Sequence, residues 1–414
     1  MAKESFITGL DIGSMNIRVA VGQIQPNSSS VHIVGAAEHE AHGISRGSVT
    51  SIEDAVSAIS QSLETVERMT GIPTHHAFVG IGGTHITSLE SHGVVAVSRA
   101  DGEIKEDDID RVVEAAQTVA TPPNYQILHV IPRTFAVDNQ RGIKDPVGMT
   151  GMRLEVDTQI IQGLSGQIKS IEKTVFRTGL SIDDIVLGAM AAAESALTKR
   201  QKELGVVLVN IGGSTTSVVV FEEGDVLHVK VLPVGAGHLT NDIAIGLRTS
   251  IELAEQVKIH VGSALPESVG KREDVNLAEF EGGEETVVSR KHVAEIIEAR
   301  LEEIFKMVDK ELQSIDRSGM LPAGIVLTGG GAQLTGILDV AKKVFRLPAS
   351  IGLPQNIVTA IDKVHSPTFT TALGLVAWGA SMEDRSGLFN KVPDFTSVKA
   401  VTDRLKGVFK NFIK

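Results

Sequence analysis

The chain has 414 residues, a net charge of −12 and no cysteine. That composition excludes disulfides, thiolate metal sites and cysteine nucleophiles, and it argues against a general nucleic-acid binder, whose phosphate contacts need a basic surface. Apolar residues at 42% and charged residues at 22% are the balance of a folded chain of roughly two to four domains. The charge is uneven: residues 399–414 carry five Lys/Arg and one Asp, net +4, which leaves 34 basic and 50 acidic residues, net −16, in 1–398. No run of about 18 apolar residues is present to span a bilayer, and MAKESFITGLDIGS lacks the apolar core of a signal peptide. A cytoplasmic protein is expected.

In chain order, 6–10 is an apolar strand, Asp11-Ile12-Gly13-Ser14 a turn, and 17–24 a second, alternating strand. A strand at 31–37 follows. A helix at 52–69 places Ile52, Val56, Ile59, Leu63 and Val66 at helical spacing, and 77–81 returns to strand before Gly82-Gly83. Residues 84–165 read as an autonomous segment, with strands near 85–90 and 93–98, a helix near 105–119, strands near 125–137 and a turn-rich run at 142–149. Helices near 167–178 and 189–199, the latter Ala-rich, lead to a strand at 205–211, the turn Gly212-Gly213-Ser214-Thr215-Thr216 and a strand at 217–221. Helices at 239–260 and 289–314 flank a Gly/Glu-rich connection. A strand at 323–328, Gly329-Gly330-Gly331, a helix to about 345, a last helix near 369–382 and a linker at 383–398 complete the body.

GLDIGSMNIRVAVG and LVNIGGSTTSVVVF share one design, strand, Gly/Ser turn, strand, with Asp11 and Asn210 at matching places 199 residues apart. A repeat at that distance suggests two like domains facing each other; the alternative is two unrelated hairpins. Backbone N–H groups in tight glycine turns hold polyphosphates, because glycine lets the chain approach closely. Gly13-Ser14 and Gly212-Gly213-Ser214-Thr215 are two such turns. Asp11 suits Mg²⁺ held through water, since hard cations take oxygen ligands. Arg18 reads equally as a phosphate contact or an ion pair. Leu327-Thr328-Gly329-Gly330-Gly331 follows a strand and is expected to open a helix whose N-terminus favours negative charge. Neither a Walker P-loop nor a Rossmann glycine motif is present. His75-His76 would point to opposite faces of a strand, and no His spacing predicts a metal site.

These three turns, taken in this order, resemble the phosphate-1, phosphate-2 and adenosine motifs of the actin/Hsp70/sugar-kinase superfamily, and among its members FtsA, the bacterial cell-division actin homologues. The resemblance runs along nearly the whole chain: LHVIPRTFAVD (128–138) and GIKDPVGMTGMRLE (142–155), the most specific match, then PVGAGHLTNDIA, AEQVKIHVG, IVLTGGGAQLTG and TALGLVAWG. It implies a duplicated α/β actin-like ATPase fold with an FtsA-type 1C insertion. Subdomain 1A would comprise 1–84 with 166–204 and 366–382, 1C 85–165, 2A 205–250 with 316–365, and 2B 251–315. ATP would be held by Gly13, Ser14, Asn16, Gly212, Gly213, Ser214, Thr215 and Gly235, with Gly329, Gly330 and Gly331 at the adenosine. Glu255 and Lys258 lie at i,i+3 on one helix face and would clamp ribose and base; a plain helix ion pair is the other reading.

One departure bears on catalysis. The second phosphate motif of the family usually carries Asp where Asn210 stands, and an amide brings no charge to Mg²⁺ and cannot act as a base. Binding should survive, while hydrolysis is at most slow. Glu194 is the nearby acid nominated to position water, a solvated helix carboxylate being the alternative.

The tail carries its own signal. Val401, Leu405, Val408, Phe409, Phe412 and Ile413 share one helical face, flanked by Lys399, Arg404, Lys406, Lys410 and Lys414. Such a helix lies in the plane of an anionic bilayer, and the 16-residue linker argues against its docking on its own domain. FtsA members end in such a helix. RKHVAEIIEARLEEIFKMVDKEL (290–312) resembles the part of FtsA subdomain 2B that receives the acidic C-terminal peptide of FtsZ, which implies Arg290, Lys291 and Arg300 as candidates for that contact; solvated helix charges are the alternative. The resemblance therefore implies a self-polymerising, ATP-binding protein that anchors FtsZ filaments to the cytoplasmic face of the membrane at midcell and recruits later division proteins. The alternatives are an actin-like pilus scaffold of PilM type and a small-molecule kinase of the same superfamily.

Overall fold

The computed structural model describes residues 5–24, 31–98, 101–270, 272–355 and 357–386. The expected membrane helix at 399–414 lies outside the described residues, as does the linker beyond 386. The chain begins with an antiparallel meander, β1 (Ser5–Ile12), β2 (Asn16–Ile24) and β3 (Val31–Glu40). A small hairpin, β4 (Ile44–Ser45) and β5 (Ser48–Val49), leads into α1 (Ile52–Thr70). Ser51 caps that helix by accepting from the Asp54 N–H, and Gly71 ends it at φ +69°, a left-handed conformation that glycine takes without cost. The face of α1 bearing Ala55, Ile59, Leu63 and Val66 is buried. β6 (His76–Ile81) then returns parallel to β1.

The segment between β6 and the rest of this half builds its own unit: β7 (Ile86–Ala96), α2 (Glu106–Ala120), β8 (Tyr125–Val137), β9 (Gln140–Ile143) and β10 (Arg153–Leu164). Its antiparallel sheet has the order β7-β10-β8-β9. A separate core around Val112, Ala116, Phe135, Leu154, Val156 and Ile160 fills the space under α2. Two strands were expected near 85–90 and 93–98, but β7 is continuous. Gly93 does not break it: a Cβ there would lie 2.2 Å from the Val112 carbonyl, so the glycine lets α2 lie close on the strand.

The chain returns through α3 (Ser165–Arg177) to β11 (Ser181–Leu187), then α4 (Gly188–Ala196) and α5 (Lys199–Leu204). The helix expected over 189–199 thus ends at Ala196, and Thr198 caps the next one by accepting from the Gln201 N–H.

The second half repeats the first. β12 (Val206–Ile211), β13 (Thr216–Glu222) and β14 (Asp225–Leu232) form an antiparallel meander. After α6 (Ala236–Leu247), α7 (Ile251–Val261), the hairpin β15 (Asp274–Asn276) and β16 (Val287–Ser289), and α8 (Arg290–Ser314) comes β17 (Ile325–Thr328), parallel to β12. α9 (Ile337–Phe345), β18 (Ala349–Ile351), β19 (Ile357–Val358) and α10 (Thr370–Ser386) follow. The single helix expected at 239–260 is two, because Arg248 takes a left-handed φ of +56° and Ser250 caps α7. Helix α10 extends to Ser386, so the first four residues of the expected linker are helical.

The two sheets read β3-β2-β1-β6-β11 and β14-β13-β12-β17-β18, with the same antiparallel and parallel pairings in the same order; β19 adds to β3 at the first sheet's edge. Asp11 and Asn210 are both penultimate in the first strand of their sheets. The repeat is therefore structural and not a coincidence of two hairpins. Helices α4 and α10 cross closely, since a Cβ on Gly374 would lie 1.8 Å from the Ala191 carbonyl. Among the described residues, no helix is long and apolar enough to cross a membrane.

Candidate functional site

The matched strand ends of the two halves face one cleft of about 440 Å³. In each half the glycine after the first strand closes the turn in the same way. The Gly13 N–H donates to the Asn16 carbonyl at 3.2 Å, and the Gly212 N–H to the Thr215 carbonyl at 2.9 Å. Among the described residues, the N–H groups of Ser14, Met15, Gly213 and Ser214 donate to no backbone carbonyl. Both turns thus carry unspent donors at the cleft, the arrangement that binds anions. The second turn is braced from behind: the Ala236 and Gly237 N–H groups at the start of α6 donate to the Gly212 and Gly213 carbonyls at 2.8 and 2.7 Å. Gly235 belongs to this brace, for a Cβ there would lie 2.4 Å from the Gly212 carbonyl. The turns meet across the cleft where Met15 lies against Gly213.

Asp11 stands on the cleft lining between Arg18 of the neighbouring strand and Gly80. Burial pushes its carboxyl up from 3.8 to about 6, against the Arg18 guanidinium, which lowers it, while the Glu38 carboxylate adds to the rise. Glu38, opposite Arg18 on β3, accepts from Asn16 Nδ2 at 2.5 Å and Arg18 Nη2 at 2.8 Å. Arg18 therefore has an ion pair and also lines the cleft; the two readings of it coexist.

The third glycine turn comes from β17. Gly329 has φ +82°, and a Cβ would lie 2.4 Å from Asn210 Oδ1; a Cβ on Gly331 would lie 2.4 Å from Ile211 Cγ2, whereas one on Gly330 would meet nothing within 4 Å. Gly330 therefore faces open cleft. The turn continues as a 3₁₀ segment over Gly330–Gln333, and a full helix starts later, at Ile337, a correction to the helix expected directly after the glycines. Asn210 also donates from Nδ2 to Thr371 Oγ1 of α10 at 3.4 Å.

On α7, Lys258 Nζ donates to Glu255 Oε2 at 2.6 Å and to Thr240 Oγ1 at 2.8 Å, and Thr240 Oγ1 donates to Glu255 Oε2 at 2.5 Å. Glu255 and Lys258 line the cleft as an ion pair. Thr240, on α6, is the member that sequence reading missed, as were Glu38, Met15, Gln333 and Thr371. Their signal is register and packing between distant segments, which spacing does not carry.

Two groups of expected residues stand elsewhere. Glu194 is not on the lining. Helix α4 offers Gly188 and Ala189 to the cleft, and Glu194, further along, accepts from Lys202 Nζ at 2.7 Å. On α8, Arg300 forks onto Asp242 at 2.5 and 2.9 Å, and Arg290 pairs with Glu273 at 2.6 Å and reaches the Val261 carbonyl at 3.0 Å. Two of the three expected cationic contacts are thus already engaged, and Lys291 beside them is partly buried. His76, on β6, pairs with Asp183.

A family model described as cell division protein FtsA matches residues 207–374, and one described as the SHS2 domain inserted in FtsA matches 83–162. Cell division protein FtsA of Pseudomonas aeruginosa is 39% identical over 90% of this chain and 89% of its own length. The FtsA proteins of Bacillus subtilis, at 37% over 91% and 84%, and of Escherichia coli K12, at 33% over 90% and 90%, are similar too. Among solved structures, the PilM-PilN type IV pilus biogenesis complex superposes with TM-score 0.66 at 14% identity, covering 90% of this chain and 98% of that one. MreB5 of Spiroplasma citri bound to ADP superposes with TM-score 0.54 at 13% identity, covering 93% and 99%. These structural likenesses establish the actin-like fold.

Proposed function

The chain belongs to the FtsA family of bacterial cell-division proteins, and on that premise we propose that it binds Mg-ATP between its two halves, polymerises, and anchors FtsZ filaments to the cytoplasmic face of the membrane. The observation that carries the nucleotide reading is the pair of mirrored glycine turns with free N–H groups at one cleft. Ser14, Met15, Gly213 and Ser214 would receive the phosphates, Gly329 to Gly331 the adenosine, and Glu255 and Lys258 the ribose and base edge. Asp11 fits Mg²⁺ held through water, and the metal would supply positive charge to the phosphate oxygens. MreB5 of Spiroplasma citri, a fold neighbour, is bound to ADP in its structure, which supports the reading.

Nucleotide then acts as an ordering ligand, favouring a closed arrangement by its differential affinity for the two states. Asn210 supplies neither charge nor base, so turnover is slow. The rival kinase reading needs a free carboxylate beside an acceptor. Among the described residues, the carboxylates on the lining are Asp11, Glu38 and Glu255, and the last two are held by Asn16, Arg18, Thr240 and Lys258. A PilM-type scaffold rests on fold alone at 14% identity, against curated FtsA relatives at 33–39%.

Membrane attachment rests on the tail. The −16 body would be repelled by an anionic bilayer, and the +4 segment at 399–414 would carry it there, each basic residue near the surface adding on the order of 1 kcal/mol. The inserted unit would contribute to the filament contact, and Arg290, Lys291 and Arg300 remain the candidates for the FtsZ peptide, with later membrane division proteins as further partners. Co-recruitment of the FtsZ C-terminal peptide to anionic liposomes by this protein tests the reading; liposomes that stay bare of peptide while the protein binds ATP would refute the anchoring role.

A further inference from the structure

The inserted unit is rooted in one half of the molecule and tied to the other. Its Ile86, Ile131 and Ile161 belong to a core that the first half shares with the second, where Val226, Val229 and Val231 of β14 join it. Lys144, in the GIKDPVG run that spacing alone left without a role, ion-pairs with Asp225 at the start of β14 and stands 3.6 Å from Glu223. Asp225 is 7% exposed, so its carboxylate has little water to turn to. A second tie runs beside it, from Ser88 Oγ to the Val229 carbonyl at 2.7 Å. β14 is the edge strand of the second sheet, and an edge strand offers unpaired backbone to whatever lies beside it; here the inserted unit takes that place.

The cleft lies between the two halves, so any opening that moves the second sheet away from the first must either break these ties or drag the inserted unit along. We propose that Lys144 is a latch: it fastens the inserted unit to the second half, so that the cleft's opening and the insert's orientation are one coupled motion. Burial raises the carboxyl of Asp225, while the hydrogen bond and charge of Lys144 and the charge of Arg133 lower it. Without Lys144 that carboxylate loses its bonded cation.

The absence of cysteine makes the test clean. Spin labels go on Met152→Cys of the insert and Met320→Cys of the second half, which are 80% and 66% exposed, and their separation is read by pulsed electron resonance on the full chain without nucleotide. The latch therefore stands or falls independently of the nucleotide reading. The labelled parent should give one narrow distance and Lys144→Arg should keep it. Lys144→Ala should raise the fraction at other distances about tenfold from a minor population. Asp225→Asn cuts the ion pair without leaving a buried charge and should broaden the distance likewise, also where Lys144→Ala fails to fold. The double variant Lys144→Ala/Asp225→Asn should stay broad. A narrow parental distance in Asp225→Asn or in the double variant would mean that Lys144 merely neutralises a buried carboxylate, and would overturn the latch.

Discussion

Replacing Asp11 with Asn should stabilise the metal-free protein while weakening its hold on Mg-ATP. Folding raises the carboxyl of Asp11 from 3.8 to about 6, chiefly because the site withdraws it from water. The folded state therefore holds the proton more tightly than the unfolded chain does. The contribution of Asp11 to stability is complete below the unfolded value and is lost as pH rises to about 6. At about 1.4 kcal/mol per unit, the loss at pH 7 is up to about 3 kcal/mol. An unfolding entropy of roughly 2 cal/mol/K per residue over the described body converts this to a melting-point rise of roughly 4 °C for Asp11→Asn. Thermal melts of both proteins in EDTA between pH 4 and pH 8 should coincide near pH 4, diverge across the window to 6, and run parallel above it. A gap that is constant with pH, or a variant less stable than the parent at pH 7, would refute the claim that burial strains this carboxylate.

Two further substitutions probe the cleft. Gly330→Asp projects a carboxylate into open space, since a Cβ there meets nothing within 4 Å; calorimetric titration should show ATP affinity falling about tenfold or more through like-charge repulsion, with the melting point unchanged, and retained affinity would mean the adenosine turn is misassigned. Asn210→Asp restores the carboxylate usual in the family motif and should raise any ATPase rate measured by phosphate release; an unchanged rate would show that Asn210 is not what limits hydrolysis.

Much of this architecture is legible in the sequence because it is local. The paired Gly/Ser turns announce themselves between apolar strands, and their conserved geometry, one glycine N–H to a carbonyl three residues on, follows from a short-range pattern. The amphipathic spacing of α1 and α8 is equally local. Other elements were hidden. β10 and β14 have no clean alternation, because β10 is buried on both faces over much of its length and β14 is covered by the insert; β10 also follows a turn-rich run, whereas β14 follows β13 after only Glu223 and Gly224. Gly93 reads as a break in a strand and is instead the place where α2 lies close on it. At the site, Glu38, Met15 and Thr240 become visible only once the register of β2 with β3 and the packing of α6 on α7 are known. Glu194 failed for a related reason, since helical phase does not reveal that Lys202 holds it off the cleft.

On this reading one molecule couples a membrane-bound tail to an FtsZ-binding body, and flotation on anionic liposomes measures that coupling. Full-length protein with Mg-ATP should carry a labelled FtsZ C-terminal peptide into the lipid fraction, whereas protein lacking 399–414 should leave both in solution while still binding ATP. Peptide recruitment that persists without the tail, or a full-length protein that floats without the peptide, would contradict it.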